Sequence, residues 1–486
     1  MVIVVQYQQK WRIPMQFKEL QLSEELLKAI EHLNYVEALP VQEKVIPLLL
    51  NNQDVLVQSK TGSGKTASYA LPEIEKIDWL CNEPQVLVLT PTRELAKQVQ
   101  VDFKTLGAYK RINAVTLFGK QPFKPQINDL KQKVHVVIGT VGRILDHLER
   151  GTLTLNQVHT CILDEADEML NLGFIEDMKK IMSYLPKPCT MAMFSATLPE
   201  PMKVIAAEYL HNPVEIHIKD QKDFNTNVTH TYFKVTPSTK NETLLKICYR
   251  ELPEQAIVFC NLRDTVEKLF NYLCHSQFSC LMIHGGMQQK ERLANMQDFK
   301  EKKYRFMVAT DVAARGIDVS HVTHVFNFDF PTISEDFVHR IGRSGRVERK
   351  GKAISLIIPS QEKYLRLVEN DLDIIFEEEP IEIVQDYKMN KILATSKPIE
   401  LKEARFEKEK MRLFLKAGRD KKIRPGDIVG AITAIEGINF DDVGIIEIND
   451  HQSYVEILNN KGNKVLKQLK NLTIKNKIVQ VEKAKE

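Results

Sequence analysis

A chain of 486 residues is too long for one compact domain and long enough for two or three. Hydrophobic residues at 43% and charged residues at 27% give the balance of a globular protein and exclude a fibre or a wholly disordered chain. The net charge of +3 is small, yet residues 411–486 hold 14 Lys and Arg against 10 Asp and Glu, while the remainder carries 53 against 54. The positive excess therefore sits in the tail, the first place to look for a nucleic-acid surface.

No run of about 18 apolar residues occurs, so no helical membrane span is expected. The start, Met1 to Gln6, has too short an apolar run for a signal peptide and lacks a basic lead. Seven cysteines are scattered without a CxxC pair, which argues against a zinc ribbon or a disulfide framework and for a reducing, cytoplasmic setting.

In chain order, residues 1–14 carry no motif and read as an N-terminal extension. Residues 15–218 alternate short β-branched runs with longer amphipathic stretches: Val55–Val57, Val86–Leu89, Val136–Ile138 and Cys161–Leu163. Such runs, apolar on both faces and separated by helical patterns, predict buried parallel strands of βαβ units. The pattern pauses at a polar linker, residues 219–229. It resumes over residues 230–375 with Ala256–Phe259, Leu281–Ile283, Phe306–Val308 and Ala353–Ile358, a second α/β domain. A terminal helix and a charged connector (376–410), with Glu377-Glu378-Glu379 near its start, lead to a third unit, 411–486. There a strand is expected near 428–435, a short helix near 438–443, strands near 445–449 and 453–458, a helix near 461–470 and a strand near 473–482. That βαββαβ order predicts an antiparallel sheet with helices on one face.

Two motifs carry the chemistry. Ser59-Lys60-Thr61-Gly62-Ser63-Gly64-Lys65-Thr66 follows the first strand and precedes a helix. Its glycines let backbone N–H groups close around phosphate oxygens, Lys65 reaches the β- and γ-phosphates, and Thr66 offers a hydroxyl to Mg²⁺. Asp164-Glu165-Ala166-Asp167 ends the strand Cys161–Leu163, where parallel sheets bind ligands. Asp164 is suited to hold Mg²⁺ through water, and Glu165 to orient the attacking water. Together they indicate an NTPase.

Over residues 15–360 the chain resembles the DEAD-box RNA helicases of superfamily 2, which implies two tandem RecA-like domains. The resemblance assigns Phe17 and Gln42 to adenine recognition, although Ala38-Leu39-Pro40-Val41-Gln42 departs from the usual Pro-Thr-x-Ile-Gln. It assigns Pro91-Thr92-Arg93, Gly119 and Thr140-Val141-Gly142-Arg143 to the RNA backbone, with Lys120 where a second glycine is common and Val141 where proline is common. Ser195-Ala196-Thr197 corresponds to the motif coupling hydrolysis to closure. In the second domain, Arg292 lies in a QxxR-like RNA element, Thr310 and Asp311 begin a motif contacting RNA, and Gly316 and Asp318 continue it towards the nucleotide. His339-Arg340-Ile341-Gly342-Arg343-Ser344-Gly345-Arg346 matches the arginine-finger motif. His339, Arg343 and Arg346 are assigned to catalysis, the two arginines sharing one helix face by their spacing of three.

The tail resembles the RNA-binding domain of DbpA/YxiN-type helicases, an RRM-like unit. That implies 23S ribosomal RNA as partner, with pre-ribosomal particles as its setting and a monomeric protein. Along its RNP1-like strand the aromatic positions hold Gln452, Tyr454 and Ile457, and its expected first strand, Ile428–Ile432, offers no aromatic. Recognition is therefore expected mainly through charge and shape, with Arg419, Lys421, Lys422 and Arg424 as the candidates. Two alternatives stand beside an ATP-dependent helicase: an ATP-gated RNA clamp without strand separation, and a DNA-dependent translocase.

Overall fold

The computed structural model describes residues 3–6, 15–59, 63–218, 228–314, 322–343, 351–380, 395–396, 398, 409–469, 473–474 and 477–484. The chain divides into two compact units, one comprising residues 1–59, 63–218 and 402–486, the other built on residues 219–401.

Among the described residues, the first unit contains an eight-stranded sheet, a four-stranded sheet and a short two-stranded ladder. Its larger sheet uses β1 (Ile3–Gln6), β2 (Val55–Gln58), β3 (Val86–Thr90), β4 (Ala114–Leu117), β5 (Val136–Thr140), β6 (Thr160–Leu163), β7 (Thr190–Ser195) and β8 (Val214–His217). Their order is β1-β8-β2-β7-β6-β3-β5-β4, all neighbours parallel. Alternate residues feed two cores: Val55, Val57, Val86, Val88 and Ile162 enter one, Leu56, Leu87, Leu89, Cys161 and Leu163 the other. A sheet covered on both faces needs apolar residues at every strand position, which is why these runs do not alternate. Of the expected N-terminal extension, residues 3–6 form β1, which pairs Ile3 to Gln6 with Val214 to His217 at the sheet's edge.

The second unit repeats the plan with β9 (Val228–Lys234), β10 (Ala256–Phe259), β11 (Cys280–Ile283), β12 (Phe306–Ala309), β13 (His324–Asn327), β14 (Gly351–Ile357) and β15 (Glu377–Glu378), ordered β11-β12-β10-β13-β14-β9-β15 and all parallel. Two expected boundaries shift. Val228 and Thr229, placed in the linker by sequence, begin β9. The acidic run placed in the connector pairs instead with β9, and Glu379 takes Arg250 at 2.5 Å. Opposite charges on neighbouring elements turn a solvated-looking run into a sheet edge.

The smaller sheet of the first unit holds β16 (Met411–Leu415), β17 (Val443–Ile448), β18 (Ser453–Ile457) and, after the short β19 (Thr473–Ile474) and β20 (Lys477–Ile478), β21 (Val481–Lys483). The order β17-β18-β16-β21 is antiparallel throughout, around its own core of Leu413, Leu415, Ile428, Ile432, Val455 and Val465. The βαββαβ order holds, but its first elements fall elsewhere. Where a strand was expected near 428–435, residues 425–433 form a helix: Pro425 sets its first turn, Asp427 accepts the Arg424 N–H at 2.8 Å, and Ile428 and Ile432, four apart, are buried together. The true first strand is β16, where Leu413 and Leu415 point inwards and Arg412 and Phe414 to the other face. The helix expected near 438–443 is a single 3₁₀ turn, Phe440–Asp442.

Candidate active site and RNA-facing rim

All strands of the larger sheet run one way, so their C-terminal ends form one rim, where ligands bind in such folds. In sheet order, β2, β7 and β6 deliver the residues assigned to the nucleotide, and β3, β5 and β4 deliver the segments assigned to RNA.

On the nucleotide side Gly64 has φ +88°, a conformation glycine adopts without cost. A Cβ there would come within 2.7 Å of Gln42 Nε2, and that amide donates to the Gly64 carbonyl at 3.3 Å. Gln42 thus lies against the phosphate loop. The Leu39 N–H donates to Gln42 Oε1 at 2.8 Å, a backbone contact that serves whatever side chain stands there and accommodates the missing threonine. Phe17 is buried near Tyr35, with ring centroids 6.4 Å apart. Buried Lys65 donates to the Ser59 carbonyl at 3.2 Å, while the Ser63 hydroxyl reaches Ser59 Oγ at 3.2 Å. Thr66 is the second residue of the helix Lys65–Lys76. Thr61 and Gly62 lie outside the described residues.

Asp164, at the end of β6, is 2% exposed. Tyr69 donates to its Oδ2 at 2.8 Å, but Oδ1 is buried without a hydrogen-bond partner. Burial pushes its carboxyl above the ordinary range, with the Lys65 charge and the Tyr69 hydroxyl pulling the other way. An orphaned, buried carboxylate oxygen fits a bound cation, and with the Thr66 hydroxyl it offers Mg²⁺ the sparse oxygen set that ion accepts alongside water and phosphate. Glu165 stands at φ +53°, left-handed backbone unusual for a glutamate, immediately before the helix Ala166–Asn171. Asp167, quoted in the motif but given no role, ties two motifs together. Its Oδ2 accepts from the Ala196 N–H, the Thr197 N–H and the Thr197 hydroxyl at 3.1, 2.8 and 2.9 Å.

On the other half of the rim, Pro91 and Thr92 are buried, and the Thr92 hydroxyl accepts from Leu95 N–H at 3.2 Å to cap the helix Arg93–Leu106. Gly119 faces Arg93, whose Nη2 would lie 3.6 Å from an added Cβ. Lys120 occupies left-handed backbone at φ +57°, which explains why glycine is the easier residue there. Thr140 precedes the helix Val141–Glu149; Val141, at its first position, is fully buried in the core where a proline would only set φ. Gly142 has open space where a Cβ would stand. Arg143 donates to Gln126 Oε1 at 3.1 Å and stacks 4.8 Å from the Phe123 ring centroid, so its guanidinium is fixed before any ligand arrives.

In the second unit, Arg340 dominates. It is 1% exposed; its Nε and Nη2 take the two Asp311 oxygens at 2.5 and 2.7 Å, and it also reaches Asn327 Oδ1, Asn261 Oδ1 and the Asp329 carbonyl. Asp311, expected to face RNA, is therefore occupied within the protein. The adjacent Thr310 donates its N–H to Ile283 at 3.3 Å, and Arg292 is half-buried on the helix Gln289–Lys300. The helix Ser334–Ile341 carries His339 but ends before Arg343, which follows Gly342 in a turn. Arg343 therefore lies just past the helix that was expected to carry it. Arg343 is buried, its Nε donating to the His339 carbonyl at 3.3 Å. Gly316, Asp318 and Arg346 lie outside the described residues.

In the tail, Arg419, Lys422 and Arg424 are exposed and Lys421 is half-buried. They surround a turn in which Lys422 has φ +58°. The sheet face is richer than expected: Phe414 on β16 lies opposite Tyr454 on β18, ring centroids 5.6 Å apart, and the Arg412 guanidinium lies 4.5 Å from the Tyr454 centroid. Placing the first strand at 428–435 hid Phe414. The signal that could have found it is the alternation Met411-Arg412-Leu413-Phe414-Leu415.

Two parallel-sheet domains, one bearing a phosphate loop and an acidic strand end, and a third domain suited to RNA define an NTP-driven nucleic-acid helicase. The chain belongs to the DEAD-box RNA helicases and is an RNA-dependent ATPase: residues 39–205 match the DEAD/DEAH box helicase family, 239–348 the helicase conserved C-terminal domain and 412–483 the DbpA RNA binding domain. It is 43% identical over 480 residues to the ATP-dependent RNA helicase DbpA of Bacillus subtilis (strain 168), covering 96% of this chain and 99% of that one. It is also 43% identical to the DEAD-box helicase CshA of Geobacillus kaustophilus over 73% of this chain and 76% of that one. Among solved structures, Dbp5 of S. cerevisiae bound to RNA and ADP BeF3 matches with TM-score 0.70 at 28% identity, over 78% of this chain and 99% of that one. Mss116 bound to single-stranded RNA and UDP-BeF matches with TM-score 0.71 at 25% identity, over 78% and 82%.

Proposed function

We propose that this helicase remodels 23S ribosomal RNA during assembly of the large ribosomal subunit, acting as a cytoplasmic monomer on pre-ribosomal particles with ATP and Mg²⁺. The observation that carries the reading is the tail: a basic turn, Arg419 to Arg424, beside a sheet face bearing Arg412, Phe414 and Tyr454. Contacts to the sugar–phosphate backbone carry no sequence information, so selectivity for one RNA has to come from a surface of this kind. The end-to-end likeness to the B. subtilis helicase DbpA supports it.

In this reading Lys65 and the phosphate loop hold ATP, and Gln42, fixed against that loop, reads adenine. Thr66 and Asp164 would hold Mg²⁺, which when bound spreads the charge of the phosphates. Glu165 orients the attacking water, and Arg343 and Arg346 stabilise the charge that develops as the phosphate bond breaks.

The test compares ATPase stimulation by 23S fragments, other RNA of equal length and DNA, for the full chain and for a chain lacking residues 411–486. The full chain should prefer one 23S fragment, and the truncated chain should respond to all RNA alike. A truncated chain that still selects, or a full chain that never does, overturns the proposal.

A further inference from the structure

The tail's sheet packs against the N-terminal helicase domain within the first unit, and one arginine is central to the contact. Arg111, between the helix Arg93–Leu106 and β4, is only 5% exposed and holds left-handed backbone at φ +57°. Its Nε donates to the Val443 carbonyl at 2.5 Å and its Nη2 to the Phe440 carbonyl at 2.6 Å, while the guanidinium lies 3.6 Å from the Phe440 ring centroid. Around it Lys28 meets Asp441 at 2.5 Å, His32 meets Glu409 at 2.8 Å, Tyr109 donates to Asn459 Oδ1 at 3.1 Å, and Gln132 donates to Asn449 Oδ1 at 2.7 Å. Leu458, 1% exposed, closes a small apolar cluster with Ala29, Ala108 and Tyr109.

A desolvated guanidinium is costly unless its donors are satisfied. Here two tail carbonyls accept from its Nε and Nη2 and an aromatic ring covers its face, and Asp442, buried and bonded to Asn459 and Lys461, shapes the turn that offers them. Burial lowers the Arg111 pKa only to about 10, so it stays charged at neutral pH. The contact also has a defined place. Arg111 and Gln132 precede β4 and β5, so the tail sits at the N-terminal ends of the parallel strands, opposite the rim that carries ATP and RNA residues. Arg412, Phe414 and Tyr454 enter none of these contacts, whereas Arg419 at the start of the basic turn donates its Nη2 to the Lys131 carbonyl at 3.4 Å.

We propose that the C-terminal RNA-binding domain works while moored on the back of the N-terminal helicase domain through the Arg111 clasp. RNA held by the tail's sheet face and RNA held at the rim are then gripped by one body.

Zero-length coupling of amines to carboxylates in the full-length protein tests this, with the joined peptides identified by mass spectrometry. Lys28 should couple to Asp441 in the free protein and equally in the presence of RNA with a non-hydrolysable ATP analogue. Arg111→Ala, and independently Phe440→Ala on the other side, should lower that yield by about tenfold, as loss of a buried charge-assisted contact implies. Both variants should keep ATPase stimulation by unstructured RNA, which shows that the fold survives. Absence of the coupled pair in the wild type, an unchanged yield in Phe440→Ala, or loss of the pair on adding RNA and nucleotide would each overturn the proposal.

Discussion

Asp167 and Thr197 lie thirty residues apart, yet one carboxylate oxygen of Asp167 accepts both the N–H and the hydroxyl of Thr197, at 2.8 and 2.9 Å. The acidic strand-end motif and the Ser195-Ala196-Thr197 turn are therefore one hydrogen-bonded object. Asp167→Ala should leave backbone donors without a partner and destabilise the first unit by about 1–3 kcal/mol. RNA-stimulated turnover should fall further than ATP affinity, measured by steady-state ATPase and nucleotide titration. Equal loss in both would reduce Asp167 to a purely structural role.

Arg340 gives a sharper expectation in the second unit. Its fork takes both oxygens of Asp311 and three further acceptors, a pattern a lysine cannot reproduce. Arg340→Ala strands a carboxylate that the fold has partly desolvated, and should cost about 3–5 kcal/mol by thermal or denaturant unfolding. Arg340→Lys should recover less than half of that.

Asp164 sets a pH dependence. Its carboxyl lies above the ordinary range because of burial, and turnover needs it ionised, so activity should fail on the acid side at a higher pH than a surface carboxylate would give. Tyr69→Phe removes a hydroxyl that favours the ionised form and should move that limb higher still. Stability runs the other way: a carboxyl whose pKa rises on folding binds its proton more tightly in the fold, so this site's contribution grows as pH falls from the raised value into the ordinary carboxylate range. A pH–rate profile of the two proteins, with unfolding measured alongside, decides both points.

Glu165→Gln keeps shape and removes charge, so ATP should bind while turnover falls by orders of magnitude. Lys65→Ala should weaken nucleotide binding itself. Normal turnover in Glu165→Gln would assign the water-orienting role elsewhere.

The tail offers two separable kinds of contact. Lys421→Ala with Lys422→Ala should flatten the dependence of RNA affinity on salt by about two units of slope, since each phosphate contact releases about one counterion. Tyr454→Ala should weaken RNA binding by about 1–3 kcal/mol with the slope unchanged, the mark of lost stacking. A binding curve indifferent to Tyr454 would return recognition to charge alone.

The nucleotide half of the rim was legible in the sequence because its chemistry is local: a phosphate loop between strand and helix, and carboxylates at a strand end. Buried parallel strands were equally plain as unbroken apolar runs. The first strand of the tail was misplaced because Ile428-Val429-Gly430-Ala431-Ile432 is β-branched in composition, whereas burial of Ile428 and Ile432 on one helical face decides its structure. Helix geometry was likewise assumed for Arg343, although the helix ends at Ile341. The roles of Asp167, Arg340 and Arg111 depend on partners far away in the chain, and no local pattern announces such a pairing.

The place of Arg111 bears on how such proteins can be recombined. Fusing this tail to a foreign helicase core would carry over its RNA-reading face but leave behind the surface formed by Lys28, Tyr109, Arg111 and Gln132. The chimera would recruit its RNA on a loose tether, at an effective concentration set by the connector rather than by a fixed geometry. Transplanting those four side chains with the tail converts a leash into a joint, and the difference between the two chimeras measures what orientation adds to mere proximity.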